Sequence, residues 1–168
     1  MKLKELKCGS KFTYKGHQFT KLSDERNSCY CLLNDTVFES KFGEINDWAK
    51  STIRKRLNEF DKKGNSNAVK GITKDDLVAV SLNYYAYGIP NGRTTDRITC
   101  LSWEEWYAHY YVDDFEITGY SSWLRSGAYG YASHASYLTA SGRNYGATVS
   151  SVAAVRPALH LRKDLEVQ

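Results

Sequence analysis

The sequence predicts an α+β fold in which two helices pack against small antiparallel sheets. Short runs of alternating apolar and polar residues are separated by turn-forming residues, a pattern typical of antiparallel strands. Two other segments carry helical signals, apolar spacing in one and a capping box in the other. The 168 residues, 42% hydrophobic and 25% charged, are enough to bury a core in one domain spanning residues 1–168.

The N-terminal part reads as strands. Residues 11–22 alternate around Lys15-Gly16 and predict a β-hairpin. Residues 28–38 indicate a further pair of strands that turns at Asn34-Asp35.

Two helices are expected. The first is indicated by four apolar residues near helical spacing: Trp48, Ile53, Leu57 and Phe60. The second is predicted over Trp103–Tyr111, because Ser102 and Glu105 form a capping box in which each side chain accepts from the other residue's amide.

The segments around the second helix predict strands and one long loop. Asp76–Leu82 indicates a short strand, and residues 83–95 predict a loop with a turn at 89–92. The C-terminal strands are expected at 122–125, 134–138, 145–149 and 155–161.

The cysteines predict neither a metal site nor a disulfide. Their spacing fits no zinc motif, and Cys29 and Cys31 would lie on one face of one strand, a poor geometry for bonding to each other. No local Cys/His signature supports a nucleophilic cysteine. We expect no cofactor and no metal.

Charge is unevenly distributed along the chain. Residues 1–75 carry 16 Lys and Arg against 10 Asp and Glu, whereas the rest carries 7 against 9. A basic helix face with Lys50, Arg54, Lys55 and Lys62 would give salt-sensitive contact with nucleic acid. Because such a face is more often simply solvated, nucleic acid is not favoured as a partner.

No apolar run predicts a membrane span or a signal peptide. We therefore expect the protein to stay in the cytoplasm as expressed, or to be carried in a virion.

Four ordered motifs resemble a bacterial and phage domain of unknown function. They are residues 51–58 (STIRKRLN), 96–105 (DRITCLSWEE), 123–127 (WLRSG) and 155–159 (VRPAL). The family pattern differs in having Trp where this chain has Arg56, Trp where it has Ser122, and Pro after Ser126.

This resemblance implies a C-type-lectin-like fold, akin to formylglycine-generating enzymes and retroelement variable proteins, with the chain ends brought together. It does not imply the formylglycine-generating oxidase, since no cysteine follows Cys100. Calcium-dependent sugar binding is poorly supported, because Ile89-Pro90-Asn91 lacks the carboxylate that calcium needs.

The two arginines of the C-terminal motifs, Arg125 and Arg156, have two possible roles. Arg125 and Arg156 would serve as an anion clamp, or each would brace the sheets by donating to backbone carbonyls. The second role is favoured, with Trp123 in the core. Pro157, which has no amide proton, is expected at a strand start, an edge or a bulge.

The segment between Glu116 and Lys163 holds no Lys, Asp or Glu, and residues 120–151 are rich in Tyr, Ser and Gly. Antibody paratopes use the same mixture of stiff aromatic and adaptable polar side chains. The expected ligand-binding residues are Tyr129, Tyr131, His134, Arg143, Asn144 and Tyr145. The alternative is that they only form strands and turns.

The favoured function is therefore a non-catalytic module that binds a protein or glycan through these C-terminal loops, in a phage, prophage or bacterial setting. A nucleic-acid-binding or host-defence-interacting accessory protein is one alternative. An enzyme on the same fold is another, although the acid pairs Glu104-Glu105 and Asp113-Asp114 are better explained as cap and solvated residues.

Overall fold

The computed structural model describes residues 1–86, 89–128 and 131–168, with the backbone alone at 89 and 90. Within these ranges the chain forms two helices and twelve strands, numbered in chain order, in three sheets. The predicted mixture of helices with antiparallel sheets is thus observed. No helix in the described part is both long and apolar enough to cross a bilayer.

The first sheet has five antiparallel strands. In spatial order they are β1 (Lys11–Tyr14), β2 (His17–Asp24), β3 (Ser28–Leu33), β12 (Ala158–Arg162) and β7 (Ile98–Thr99). The predicted hairpin is confirmed as β1–β2. Lys15 and Gly16 have φ values of 48° and 82°, as in the two-residue turn that matches strand twist.

The second sheet also has five strands. In spatial order they are β10 (Asn144–Thr148), β9 (His134–Leu138), β8 (Ser122–Gly127), β5 (Val80–Ala86) and β6 (Ile89–Asp96). The pairing is antiparallel except between β5 and β8, which meet in parallel where Ala86 faces Gly127. A third, two-stranded sheet joins β4 (Phe38–Ser40) to β11 (Ala153–Val155).

Both helices begin at a side-chain cap. In α1 (Thr52–Leu57) the Ser51 hydroxyl accepts from the Arg54 amide at 3.1 Å. A 3-10 turn over Trp48–Lys50 precedes it, so α1 is shorter than the apolar spacing from Trp48 to Phe60 suggested.

The capping box is confirmed in α2 (Trp103–Tyr107), which continues as a π-helix over Ala108–Val112. Trp106 is 1% exposed and lies among apolar residues of β2, β3 and β8. α2 is therefore anchored by one face, which leaves the other face free.

Two predicted strand arrangements are wrong. Strand β3 pairs with β2 and β12, and β4 pairs with β11, so 28–38 is not a hairpin. All six positions of β3 are buried, which is the pattern of a strand with both of its faces covered. The expected strand 155–161 is split by Arg156 and Pro157 into β11 and β12; Pro157 thus directly precedes a strand start.

The predicted loop 83–95 is also wrong, because it forms most of the β5–β6 hairpin. The expected turn at 89–92 belongs to β6, and the two residues that join the strands lie outside the described ranges. Strand β5 begins later than expected, since Asp76 lies in a 3-10 turn over Lys74–Asp76.

Candidate functional site

An open groove of about 840 Å³ lies between α2 and the β9–β10 edge of the second sheet. Helix, sheet and the residues between them all contribute to its lining, which is Trp103, Glu104, Tyr107, Tyr111, Ser126, Ser136, Arg143, Asn144 and Tyr145. A volume of this size lies within the usual range for small-ligand sites.

The helix side of the groove is a cluster of three aromatic rings. Ring centroids are 6.0 Å apart for Trp103 and Tyr107, 5.2 Å for Tyr107 and Tyr111, and 6.4 Å for Trp103 and Tyr111. The spacing of four residues brings these side chains onto one face, beside the face that carries the buried Trp106. Tyr107 and Tyr111 are each about half exposed, at 51% and 52%. The aromatic cluster offers apolar ring surface to a ligand.

One hydrogen bond ties the Tyr111 end of the aromatic cluster to the sheet. The Tyr111 hydroxyl donates to the Gly142 carbonyl at 3.2 Å, in the turn between β9 and β10. At the other end, the Trp103 amide donates to the Ser126 hydroxyl of β8 at 3.0 Å. The two walls are thereby held at a fixed separation.

Two buried acceptors in the groove have no hydrogen-bond partner among the described residues. They are Glu104 Oε2 and Asn144 Oδ1, one on each wall. An unsatisfied buried acceptor costs free energy. Both oxygens are inaccessible to solvent, so the Glu104 or Asn144 side chain has to rotate before a ligand hydroxyl or N–H can donate to it. The groove therefore combines aromatic surface with two acceptors that such a rotation would offer to a ligand.

The helix wall is braced from below by a buried ion pair. Arg125 Nη1 and Nη2 donate to Glu105 Oε1 and Oε2, each at 2.6 Å. The same guanidinium donates to the carbonyls of Cys100 at 2.8 Å and Asn83 at 2.9 Å. The Tyr30 hydroxyl donates to Glu105 at 2.8 Å.

The ion pair lowers the pKa of Glu105 and raises the pKa of Arg125, so it favours the charged form of each group. Burial raises the pKa of Glu105, but attraction to and hydrogen bonds from Arg125 outweigh it and hold that pKa below its ordinary value. Burial likewise opposes the charged form of Arg125, yet Glu105 raises the pKa of Arg125. Both groups remain ionised, so Arg125 is occupied and does not face a ligand.

Arg156 is also buried, but without a carboxylate. It donates to the Leu33 carbonyl at 2.7 Å, to the Ile117 carbonyl, and to Asn34 Oδ1 at 3.1 Å. Its guanidinium carbon lies 4.6 Å from the Tyr120 ring centroid. Burial lowers the pKa of Arg156 to about 10. Both motif arginines therefore brace backbone segments rather than form an anion clamp.

Trp123 is buried at 1% exposure. Its Nε1 donates to the Ser40 carbonyl at 2.9 Å, and its ring meets Phe42 and Tyr137 edge-on. It thus joins the second sheet to the small β4–β11 sheet.

The groove brings together three of the six residues expected to bind ligand: Arg143, Asn144 and Tyr145. Tyr131 and His134 form a separate aromatic pair, with centroids 5.7 Å apart, at the start of β9. Tyr129 lies outside the described residues.

The helix wall is not among the ligand-binding residues that the sequence predicts. Trp103, Tyr107 and Tyr111 recur at intervals of four, but this spacing is equally typical of a helix face turned to the core. The sequence indicates only a solvated or capping role for Glu104.

Neither the buried cysteines nor the basic helix face offers an activated nucleophile or a cluster of free cations among the described residues. Burial raises the pKa of Cys29 to about 11 and of Cys100 to about 12, which disfavours the thiolate. In the described part of the chain, no group of three or more His, Cys, Asp or Glu is placed to hold a metal ion.

On the basic helix face, Arg54 is paired with Asp96 at 2.8 Å, so this face has one fewer unpaired cation for nucleic acid.

No protein-family model matches this chain. Searches of curated proteins and of solved structures also gave no match.

Proposed function

We propose that this chain is a non-catalytic ligand-binding module that takes a glycan into the aromatic groove. The observation that carries the proposal is the aromatic cluster of Trp103, Tyr107 and Tyr111, which lines the same groove as the unpartnered acceptors Glu104 Oε2 and Asn144 Oδ1. A sugar ring has an apolar C–H face that stacks on an aromatic ring and a rim of hydroxyl donors. It thus matches both walls at once.

A glycan fits better than a protein partner. A protein surface brings charged side chains, and ion pairs give interfaces much of their specificity. The groove supplies one Arg and one Glu, and its sheet wall comes from a segment with no Lys, Asp or Glu. The charges of Arg143 and Glu104 cancel, so the groove lining carries no net charge and suits an uncharged polar ligand.

A C-type-lectin-like fold is part of the same proposal. Its support is the pair of helices, the antiparallel sheets and the meeting of the chain ends, where Leu3 N donates to Leu165 O and Val167 N donates to Met1 O, both at 2.9 Å. Sugar binding in the aromatic groove needs no calcium. A phage, prophage or bacterial setting, in the cytoplasm or on a virion, rests on the four motifs alone.

A glycan array tests the proposal. Wild-type protein, in buffer with EDTA, should bind a restricted set of glycans, because the groove uses no metal. Tyr107→Ala should weaken that binding by about 1 to 3 kcal/mol, as expected for an aromatic anchor. Tyr131→Ala is the matched control, since Tyr131 is 66% exposed and does not line the groove.

An array that stays blank would overturn the proposal. Equal loss of binding in the Tyr107→Ala and Tyr131→Ala variants would also overturn it, because the ligand would then not be confined to the groove.

A further inference from the structure

A second cavity, of about 490 Å³, lies beside the C-terminal end of α1. It shares no residue with the aromatic groove, and its lining is mostly polar: Arg54, Asn58, Glu59, Phe60, Asn67, Lys74, Thr95, Asp96 and Arg97. Three cationic side chains and two carboxylates belong to this set.

Arg97 has a buried donor without a partner. Its Nε is inaccessible to solvent and makes no hydrogen bond to the described residues. The Arg97 side chain as a whole is partly exposed in the cavity lining, and its guanidinium donates no hydrogen bond to the described residues. Its charge therefore has no protein acceptor there, and an anion in the cavity would supply one to the terminal nitrogens.

The backbone around Arg97 is fixed. Its carbonyl accepts from the His160 amide at 3.2 Å. The next residue, Ile98, is held by the Asn58 side chain, which accepts from Ile98 N at 3.2 Å and donates to Ile98 O at 2.8 Å. The guanidinium is therefore presented from a rigid base.

The acids of the cavity leave the positive charge in excess. Asp96 is consumed by three donors: Arg54 Nε at 2.8 Å, Trp48 Nε1 at 3.2 Å and Thr94 Oγ1 at 2.7 Å. Glu59 is exposed to solvent. Lys74 stands over the Phe60 ring, with Nζ 5.3 Å from the centroid. With Arg54 and Asp96 paired, the remaining charges of the lining are two cations, Arg97 and Lys74, and one solvated carboxylate, Glu59. The lining therefore has a net positive charge.

We infer that this cavity binds a small ligand through a phosphate group. A guanidinium fork and a lysine point charge are a common pair for phosphate oxygens. The cavity is wider than an inorganic phosphate, so Asn67 and Thr95 are left to contact the organic part of the ligand.

An NMR titration with inorganic phosphate at constant pH and ionic strength tests this inference. The Arg97 Nε–H and the Asn58 side-chain amide should shift along a saturating curve. The same titration with acetate should give no saturation. Lys74→Met, at an exposed position, should weaken phosphate binding by about 10-fold while the protein stays folded, as expected for loss of a charge-assisted hydrogen bond.

Arg93→Met is the control, because Arg93 is exposed on β6 and does not line the cavity. Its phosphate affinity should equal that of the wild type. Shifts that rise linearly with phosphate, or an acetate curve as tight as the phosphate curve, would overturn the inference. Equal weakening by Arg93→Met and Lys74→Met would also overturn it, since that is general screening rather than a site.

Discussion

Arg125 and Arg156 show how two buried guanidinium groups are compensated in different ways. Arg125 has a full carboxylate partner in Glu105, whereas Arg156 has three neutral oxygens and an aromatic face. Removing one member of a buried ion pair strands the other charge, which costs far more than the pair itself contributes.

Arg125→Met should therefore lower the free energy of unfolding by about 3 to 5 kcal/mol. The cost comes from leaving the half-buried Glu105 carboxylate and the carbonyls of Cys100 and Asn83 without their donor. Urea unfolding at neutral pH measures it. Arg162→Met makes the same chemical change at an exposed pair with Asp164, where solvent screens the charges, and should leave stability nearly unchanged. Similar losses in both variants would contradict the assigned role of the buried pair.

Acid should weaken the protein through Glu105. Its pKa is depressed on folding, so its contribution is complete above the unfolded pKa and is lost as pH falls through the lower folded pKa. When the pH is lowered below about 4.3, the urea concentration at the unfolding midpoint of the wild type should decrease. Glu105→Gln should start from a lower midpoint and fall less steeply. Parallel curves for the two proteins would show that Glu105 is not linked to the loss.

At the residue scale, local pattern predicted only part of Glu105's role. Its place in the capping box follows from three-residue spacing and was predictable. Its pairing with Arg125, 20 residues away, depends on α2 lying across β8, which no local pattern specifies.

Among the elements, the β5–β6 hairpin departs most from its local signals. Gly, Asn and Pro in 83–95 favour a turn, but tertiary pairing prevails because β5 is flanked by β6 and β8. Gly92 lies opposite Tyr84, whose hydroxyl donates to Asp47 Oδ1 at 2.7 Å. A Cβ at Gly92 would overlap the Tyr84 ring.

Gly92→Ala should destabilise the protein by about 1 to 3 kcal/mol, the usual cost of overpacking. Gly146→Ala is the matched control on edge strand β10, where a Cβ would meet Ala128 at 3.5 Å, an ordinary contact. Thermal unfolding of both variants makes the comparison. If the control melts as early as Gly92→Ala, loss of glycine alone explains the effect and the Tyr84 overlap does not.

At the scale of the whole molecule, sequence predicted one wall of the groove. The unusual composition of 120–151 pointed to Arg143, Asn144 and Tyr145. The opposite wall, on α2, is contributed by residues more than 30 positions earlier, and only the packing of Trp106 against the sheets turns that wall outward. Groove formation is thus a property of the tertiary fold.

Two tryptophans should separate stability from binding. Trp123→Ala removes a buried indole that links two sheets and should cost about 3 to 5 kcal/mol of stability. Trp103→Ala removes a partly exposed ring of the groove and should weaken glycan binding with a smaller loss of stability. Denaturant unfolding and isothermal titration supply the two readouts. The reverse pattern would contradict the placement of these two side chains.

Acrylamide quenching of tryptophan fluorescence tests the glycan groove most directly. All four tryptophans lie in the described ranges; Trp48, Trp106 and Trp123 are at most 1% exposed, so Trp103 accounts for the quenchable signal. A glycan that binds on the array should shield Trp103 and lower the quenching constant, and Trp103→Phe should remove both the quenching and the change. If saturating glycan leaves the wild-type quenching constant unaltered, the ligand does not occupy the groove.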